Sequence, residues 1–182
     1  MTTTSRDALK SIGIHLQTQP SHHIPSPPTQ PRRACVAAIL RWKTNSRENI
    51  SPSINKIKTI EDFLELPWVK GDTEGGPELL FMQRASRDSD RWSGHVAFIG
   101  GKNEPGESDE ETVIREVKEE IGLNLGSDSF IKLGQLDDRE IISTLNKQLL
   151  MILVPFVYLQ VVPHTPTMEL EKDEVASVEC NF

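Results

Sequence analysis

The chain has 182 residues, 36% of them hydrophobic and 26% charged, with a net charge of −7 at pH 7. That size suits one domain with its own core. The acidic balance excludes a general binder of nucleic acid duplexes, which needs a basic face; anionic substrates would call for a local remedy, such as a bound cation. Cys35 and Cys180 fit no zinc spacing and read as free thiols of a reducing compartment. No run reaches the roughly 18 apolar residues of a membrane span, and the N-terminus lacks the apolar centre of a secretory signal. The expectation is an intracellular protein, cytoplasmic first, with mitochondrial or peroxisomal placement left open.

Residues 1–33 hold five of the twelve prolines, four basic residues and one acidic residue. The stretch "SHHIPSPPTQPRR" cannot form a helix or a central strand, because proline removes donors and fixes φ. Residues 1–33 therefore read as a disordered or loosely packed tail. Arg6 and Lys10 also permit a transit segment, with a plain linker preferred. His22 and His23 read as solvated. The remaining domain, 34–182, carries the acidic charge.

"ACVAAILRW" (34–42) predicts a buried strand. Residues 43–77 read as an insertion with one short helix, started by a Thr59–Asp62 capping box and stopped by Pro67. "ELLFMQR" (78–84) and "HVAFI" (95–99) predict strands joined by a charged hairpin-like connection. "FIKLGQL" and "LLMILVPFVYLQVV" predict two more, with Pro155 marking a bulge or an edge. A helix falls between these strand groups, so the fold class is α/β with a mixed sheet.

That helix is where the acid concentrates. From Glu107 to Glu120 there are seven carboxylates and two bases. Ser108 and Glu111 form a capping box, and Asp109, Glu110 and Glu111 sit where the helix dipole favours negative charge. Gly122 is placed to close the helix, and Val113, Val117 and Ile121 make its buried stripe. Glu116, Glu119 and Glu120 lie in the last turns, where the dipole disfavours acid. Their i, i+3 and i+4 spacing lets them converge. A hard cation such as Mg²⁺ would relieve that repulsion, and Arg115 can orient Glu116. A solvated acidic face is the alternative reading.

Gly101, Glu107, Arg115, Glu116, Val117, Glu119, Glu120, Gly122 and Leu123 fall in the pattern G-x5-E-x7-R-E-V-x-E-E-x-G-L. This resembles the Nudix box, with every defined position filled. The resemblance implies an α/β/α sandwich over about residues 34–179 and hydrolysis of a diphosphate linked to another moiety, assisted by Mg²⁺ or Mn²⁺. It implies Glu116 and Glu120 as principal metal ligands, with Glu119 and the Gly100 carbonyl joining them. Glu107 would support the loop, and Arg115 would hold Glu116. Glu119 is the first candidate for general base, and Glu174 the second.

Upstream, the chain is partly similar to the signature of coenzyme A-type Nudix pyrophosphatases. Leu80, Arg84, Ala85, Gly94, Phe98, Gly100 and Gly101 match; Met82 and Ile99 depart from it. One residue is inserted, so Asp90 takes an expected arginine position and Arg91 lies one place too close to Gly94. Arg84 and Arg91 are candidate phosphate contacts, while Arg87 reads as solvated. Trp92 reads equally as a base-stacking residue or a core anchor, and His95 as structural.

The expected ligand is a small nucleotide-type molecule; a homodimer is left open. Nudix domains usually continue beyond a point equivalent to Phe182 with a second helix over the sheet. The expectation is therefore a C-terminally incomplete fold with one bare sheet face. The alternative function is an inactive or truncated nucleotide-binding or protein-interaction module. An acidic Ca²⁺ binder lacks an EF-hand loop.

Overall fold

The computed structural model describes residues 4–44, 56–87 and 92–181. Its order is α1 (Ser5–Thr18), β1 (Arg33–Lys43), α2 (Ile60–Leu64), α3 (Pro67–Lys70), β2 (Gly76–Arg84), β3 (Val96–Ala97), β4 (Ile99–Lys102), α4 (Asp109–Ile121), β5 (Phe130–Gln135), β6 (Arg139–Ile142), β7 (Leu149–Gln160) and β8 (Val175–Asn181). The strands form one mixed sheet in the order β3-β2-β1-β7-β5, with β4 on β1, β6 on β7 and β8 on β2. β1 and β7 are parallel from Arg33↔Ile152 to Leu40↔Leu159. The segment expected as one strand at 95–99 is two, interrupted at Phe98.

Side chains alternate across the sheet, as a two-residue period requires. Cys35, Ala37 and Ile39 of β1 meet Val113, Val117 and Ile121 of α4 in one core. Ala38 and Trp42 face the other way and join Leu9, Ile60, Phe63, Val157 and Leu159 in a second. α4 therefore covers one face and α1–α3 the other, giving an α/β/α sandwich.

That second layer corrects two expectations. Residues 5–18 are not an irregular tail but a capped helix: Thr4 and Asp7 make a reciprocal capping box, and Leu9 is 0% exposed. Gly13 lets α1 touch Ile60, where an added Cβ would lie 2.9 Å from the isoleucine side chain. Nor is the second face left bare, because α1 and the 56–70 helices cover it. Leu9→Ala should cost about 2–5 kcal/mol in urea unfolding; a loss below 0.5 kcal/mol, about that of an ordinary surface substitution, would show that α1 is dispensable.

Two prolines also act differently from the sequence expectation. Pro67 opens α3 at its first turn, where its missing N–H costs nothing. Pro155 lies in an internal strand, opposite Val36. Its carbonyl accepts from Leu136 N at 2.9 Å, so its absent donor faces the gap between β5 and β6, where no ladder bond is lost.

Candidate metal centre

The site is assembled from a strand, a helix and a distant loop. β4 runs antiparallel to the start of β1, pairing Gly100 with Val36 and Gly101 with Cys35. Gly100 has φ of 143°, and a Cβ there would stand 2.1 Å from the Cys35 carbonyl oxygen, so only glycine fits. Gly101 is required for another reason. A Cβ on it would lie 2.4 Å from Glu116 Oε2. The two glycines let the strand backbone press against the acids of α4.

α4 begins at the Ser108–Glu111 capping box and ends at Gly122, which takes a left-handed φ of 77°. Glu120 is 3% exposed, and its Oε2 accepts the Gly100 N–H at 3.0 Å. Burial pushes the Glu120 carboxyl up to about 7, and the charges of Glu116 and Glu174 add to the rise. Burial likewise raises Glu116, against the pull of Arg115.

Arg115 ties the acids together. Its Nε and Nη2 donate to the two oxygens of Glu107 at 2.7 and 3.1 Å. Its Nη1 donates at 2.9 Å to both Glu116 Oε1 and Glu119 Oε2, and Nη2 also reaches the Lys102 carbonyl at 3.0 Å. Glu107 in turn accepts from Glu104 N and Thr112 Oγ1, and Arg115 above all holds it down at about 2.

The third component is Glu174. Glu169 N and Glu171 N donate to the Ile121 and Glu120 carbonyls, satisfying the open C-terminal end of α4. This docks the 169–174 segment on the helix. Ala85 N then donates to the Glu174 carbonyl at 2.8 Å, and β8 continues along β2. Glu174 is thus close enough for its charge to raise both Glu116 and Glu120. Arg84, at the end of β2, acts on Glu120 in the opposite sense.

The three helix acids do not close on one another. Glu119 is 61% exposed at its side chain and turned to Arg115. Among the described residues, no group of three His, Cys, Asp or Glu side chains is gathered to enclose an ion. The donor chemistry still suits one: a buried carboxylate, Glu120, and a half-buried one, Glu116, whose negative charge burial disfavours, a third acid nearby, and glycine backbone beside them. Mg²⁺ commonly takes one or two carboxylates and fills its shell with water and phosphate oxygens, so an incomplete cage fits it. Gly101→Ala should displace the Glu116 carboxylate and weaken Mn²⁺ binding about tenfold or more while unfolding within about 1 kcal/mol of the parent. Unchanged affinity by titration calorimetry would remove Glu116 from the site.

Of the other singled-out residues, Arg91 and Asp90 lie outside the described residues. Arg87 is not simply solvated: it donates to the Asp173 carbonyl and lies 3.4 Å from Glu174. Trp92 is 47% exposed and edge-on to His95, so it is no core anchor. Sequence reasoning overlooked Arg33, which donates to Asp109 and Asp138 at 2.8 Å. Its only sequence signal was a basic residue directly before an apolar strand.

A NUDIX domain family model matches residues 69–182, more than half of the chain. An uncharacterized protein of Schizosaccharomyces pombe is 33% identical over 156 residues, which cover 85% of this chain and 42% of that protein. The human mitochondrial coenzyme A diphosphatase is 46% identical over 50 residues, 27% of this chain and 21% of its own length. The chain thus spans less than half the length of either protein in these alignments. Among solved structures, the MutT NUDIX hydrolase from Burkholderia pseudomallei aligns over 82% of this chain and 81% of its own, with a TM-score of 0.44 and 20% identity. The NUDIX domain of Shewanella oneidensis NrtR, complexed with ADP ribose, aligns over 92% and 80%, with a TM-score of 0.48 and 13% identity. The decisive comparison is the family model, whose match takes in the glycine strand, the acid helix and the Glu174 loop: the chain belongs to the NUDIX family.

Proposed function

We propose that the protein hydrolyses the diphosphate linkage of a nucleoside diphosphate derivative, using Mg²⁺ or Mn²⁺ held by Glu116 and Glu120. The observation that carries this reading is Glu120, a buried carboxylate pressed on the Gly100 backbone beside two further acids. Such a group is costly unless a cation is its working partner. The Gly100 carbonyl is the added backbone ligand. When bound, the metal polarises phosphoryl oxygen and acidifies water.

The chain's own residues supply the rest. Arg115 fixes the Glu116 carboxylate and spans it to Glu107. Gly101 keeps the site open for the substrate's phosphates, with Arg84 and Arg91 as their contacts. We place Glu174 ahead of Glu119 as acceptor of the proton of the attacking water. The charge of Glu174 acts on both Glu116 and Glu120 and its ion pair to Arg87 is long at 3.4 Å, whereas Glu119 acts on Glu116 and is held by Arg115 at 2.9 Å.

Coenzyme A or an acyl derivative is the substrate we favour. The partial signature at Leu80, Arg84, Ala85, Gly94, Phe98, Gly100 and Gly101 supports it, as does the 50-residue likeness to the human coenzyme A diphosphatase. Met82, Ile99 and Asp90 count against it. The test is product analysis with Mg²⁺ on coenzyme A, NADH, ADP-ribose and dinucleoside polyphosphates. Cleavage of coenzyme A to a phosphopantetheine product is expected. Cleavage only of another member would replace the substrate; tight binding of any member without phosphate-bearing products would favour a binding module instead.

A further inference from the structure

The geometry points to Arg33 as a positioning residue for the metal centre, a role that rests on the metal-site reading above. Arg33 holds both components of the site at once. Its backbone clamps the end of β4: Arg33 N donates to Asn103 Oδ1 at 3.1 Å, and Asn103 N donates to the Arg33 carbonyl at 3.2 Å. This closes the β1–β4 ladder one pair, Ala34↔Lys102, beyond those that place Gly100 and Gly101. Its side chain clamps the start of α4, with Nε donating to Asp109 at 2.8 and 3.0 Å. The strand that carries the glycines and the helix that carries Glu116 and Glu120 are thereby fixed to one residue. The loop between them, 103–108, contains Glu107.

The guanidinium is itself held from the far side. Nη2 donates to Asp138 Oδ2 at 2.8 Å, and Nη1 donates to the Ile24 carbonyl at 2.8 Å and lies 3.4 Å from Ser26 Oγ. The Asp138 side chain is fully buried and shared: Ile24 N donates at 3.0 Å, Gln135 Nε2 at 3.0 Å, and His23 Nδ1 lies 3.1 Å away. His22 N adds a bond to Asp137 at 2.8 Å, and Asp138 N donates to the His22 carbonyl. A strap of residues 22–26 thus locks the fork of Arg33 in one orientation. Neither strap nor Arg33 lies in the segment matched by the family model, which begins at residue 69. A planar five-donor fork suits this task, since a lysine cannot span Asp109, Asp138 and a carbonyl together. Arg33 touches neither Glu116 nor Glu120, so its effect on a metal passes through the placement of β4 and α4.

The test compares Arg33→Gln and the milder Asp109→Asn with Leu133→Ala, a control in the opposite core. Two quantities are read: Mn²⁺ affinity by paramagnetic resonance, and hydrogen exchange of the Gly100 amide in metal-free protein. Arg33→Gln should weaken Mn²⁺ binding by up to about tenfold, the low end of the range for groups that orient a metal ligand, and speed Gly100 exchange beyond any change in the control. Asp109→Asn should move both in the same direction, and Arg33→Lys should recover part of the loss. Parental affinity and parental exchange in both site variants would overturn the assignment, as would equal changes in Leu133→Ala at matched melting temperature. If the parent binds no Mn²⁺, the metal-site reading fails, and the exchange of Gly100 alone still decides whether Arg33 positions β4 and α4.

Discussion

Glu120→Gln is expected to abolish turnover and, at the same time, to stabilise the metal-free protein at pH 8. An ordinary glutamate ionises near 4.5, whereas Glu120 in the fold does so at about 7, because burial penalises its charge. Between these values the folded state holds a proton that the unfolded chain has released. Stability therefore falls as pH rises from about 4.5 to 7 and stays reduced above it. The full cost is on the order of 3 kcal/mol. Glutamine removes the charge, and its amide oxygen can still accept the Gly100 N–H. A gain of about 1–3 kcal/mol at pH 8 should appear in urea unfolding, and should vanish near pH 4. The parent should recover the same stability when Mg²⁺ is added; the variant should not respond. Turnover should fall by about three orders of magnitude, the equivalent of several kcal/mol of lost charge stabilisation. A variant that is less stable than the parent at pH 8, or that still gains stability from Mg²⁺, would refute the assignment.

Glu174→Gln should lower kcat by about 10²- to 10⁴-fold, the usual worth of a placed acid or base. Glu119→Gln should lower it less than about tenfold, because Glu119 is largely exposed and its carboxylate is held by Arg115. KM should change little in either, since neither is assigned to phosphate binding. The comparison is made at saturating Mg²⁺, so that modest changes in metal affinity do not masquerade as lost chemistry. Should Glu119→Gln be the crippled variant and Glu174→Gln the active one, the proton acceptor lies on α4 and the order proposed above is reversed.

The parts legible in the sequence are those set by short-range rules. Two capping boxes, Thr59–Asp62 and Ser108–Glu111, and the left-handed Gly122 were readable because their partners lie within a few residues. The buried stripe Val113–Val117–Ile121 was readable as a period, and β1 as a short apolar run. The glycine-and-acid motif that carries the family resemblance was readable because it occupies one helix and the turn before it.

What escaped depends on distant contacts or was hidden by averaging. Glu174 is named in the sequence only as a second candidate through the family resemblance; its position beside Glu116 and Glu120 depends on the segment before β8 capping α4 and on β8 pairing with β2. No local pattern announces that. Arg33 has its meaning from Asp109 and Asp138, far along the chain. α1 has local signals of its own. The Thr4–Asp7 box and the Leu9, Gly13, Leu16 spacing were present, but the prolines of residues 20–31 coloured the reading of the whole segment.

β1 hydrogen-bonds with β2, β4 and β7, and it precedes the residue where the family match begins. A fragment starting at residue 69 would carry the whole glycine-and-acid motif but no keystone. β7 would lose its parallel neighbour and β4 its only ladder among the described strands, while the apolar side of α4 would have half a floor. Such a fragment should be recovered from inclusion bodies, and a protease that nicks the folded chain between β1 and β2 should leave both pieces associated. The matched segment is thus a unit of recognition, while the packing among the described residues reaches back through β1 to α1.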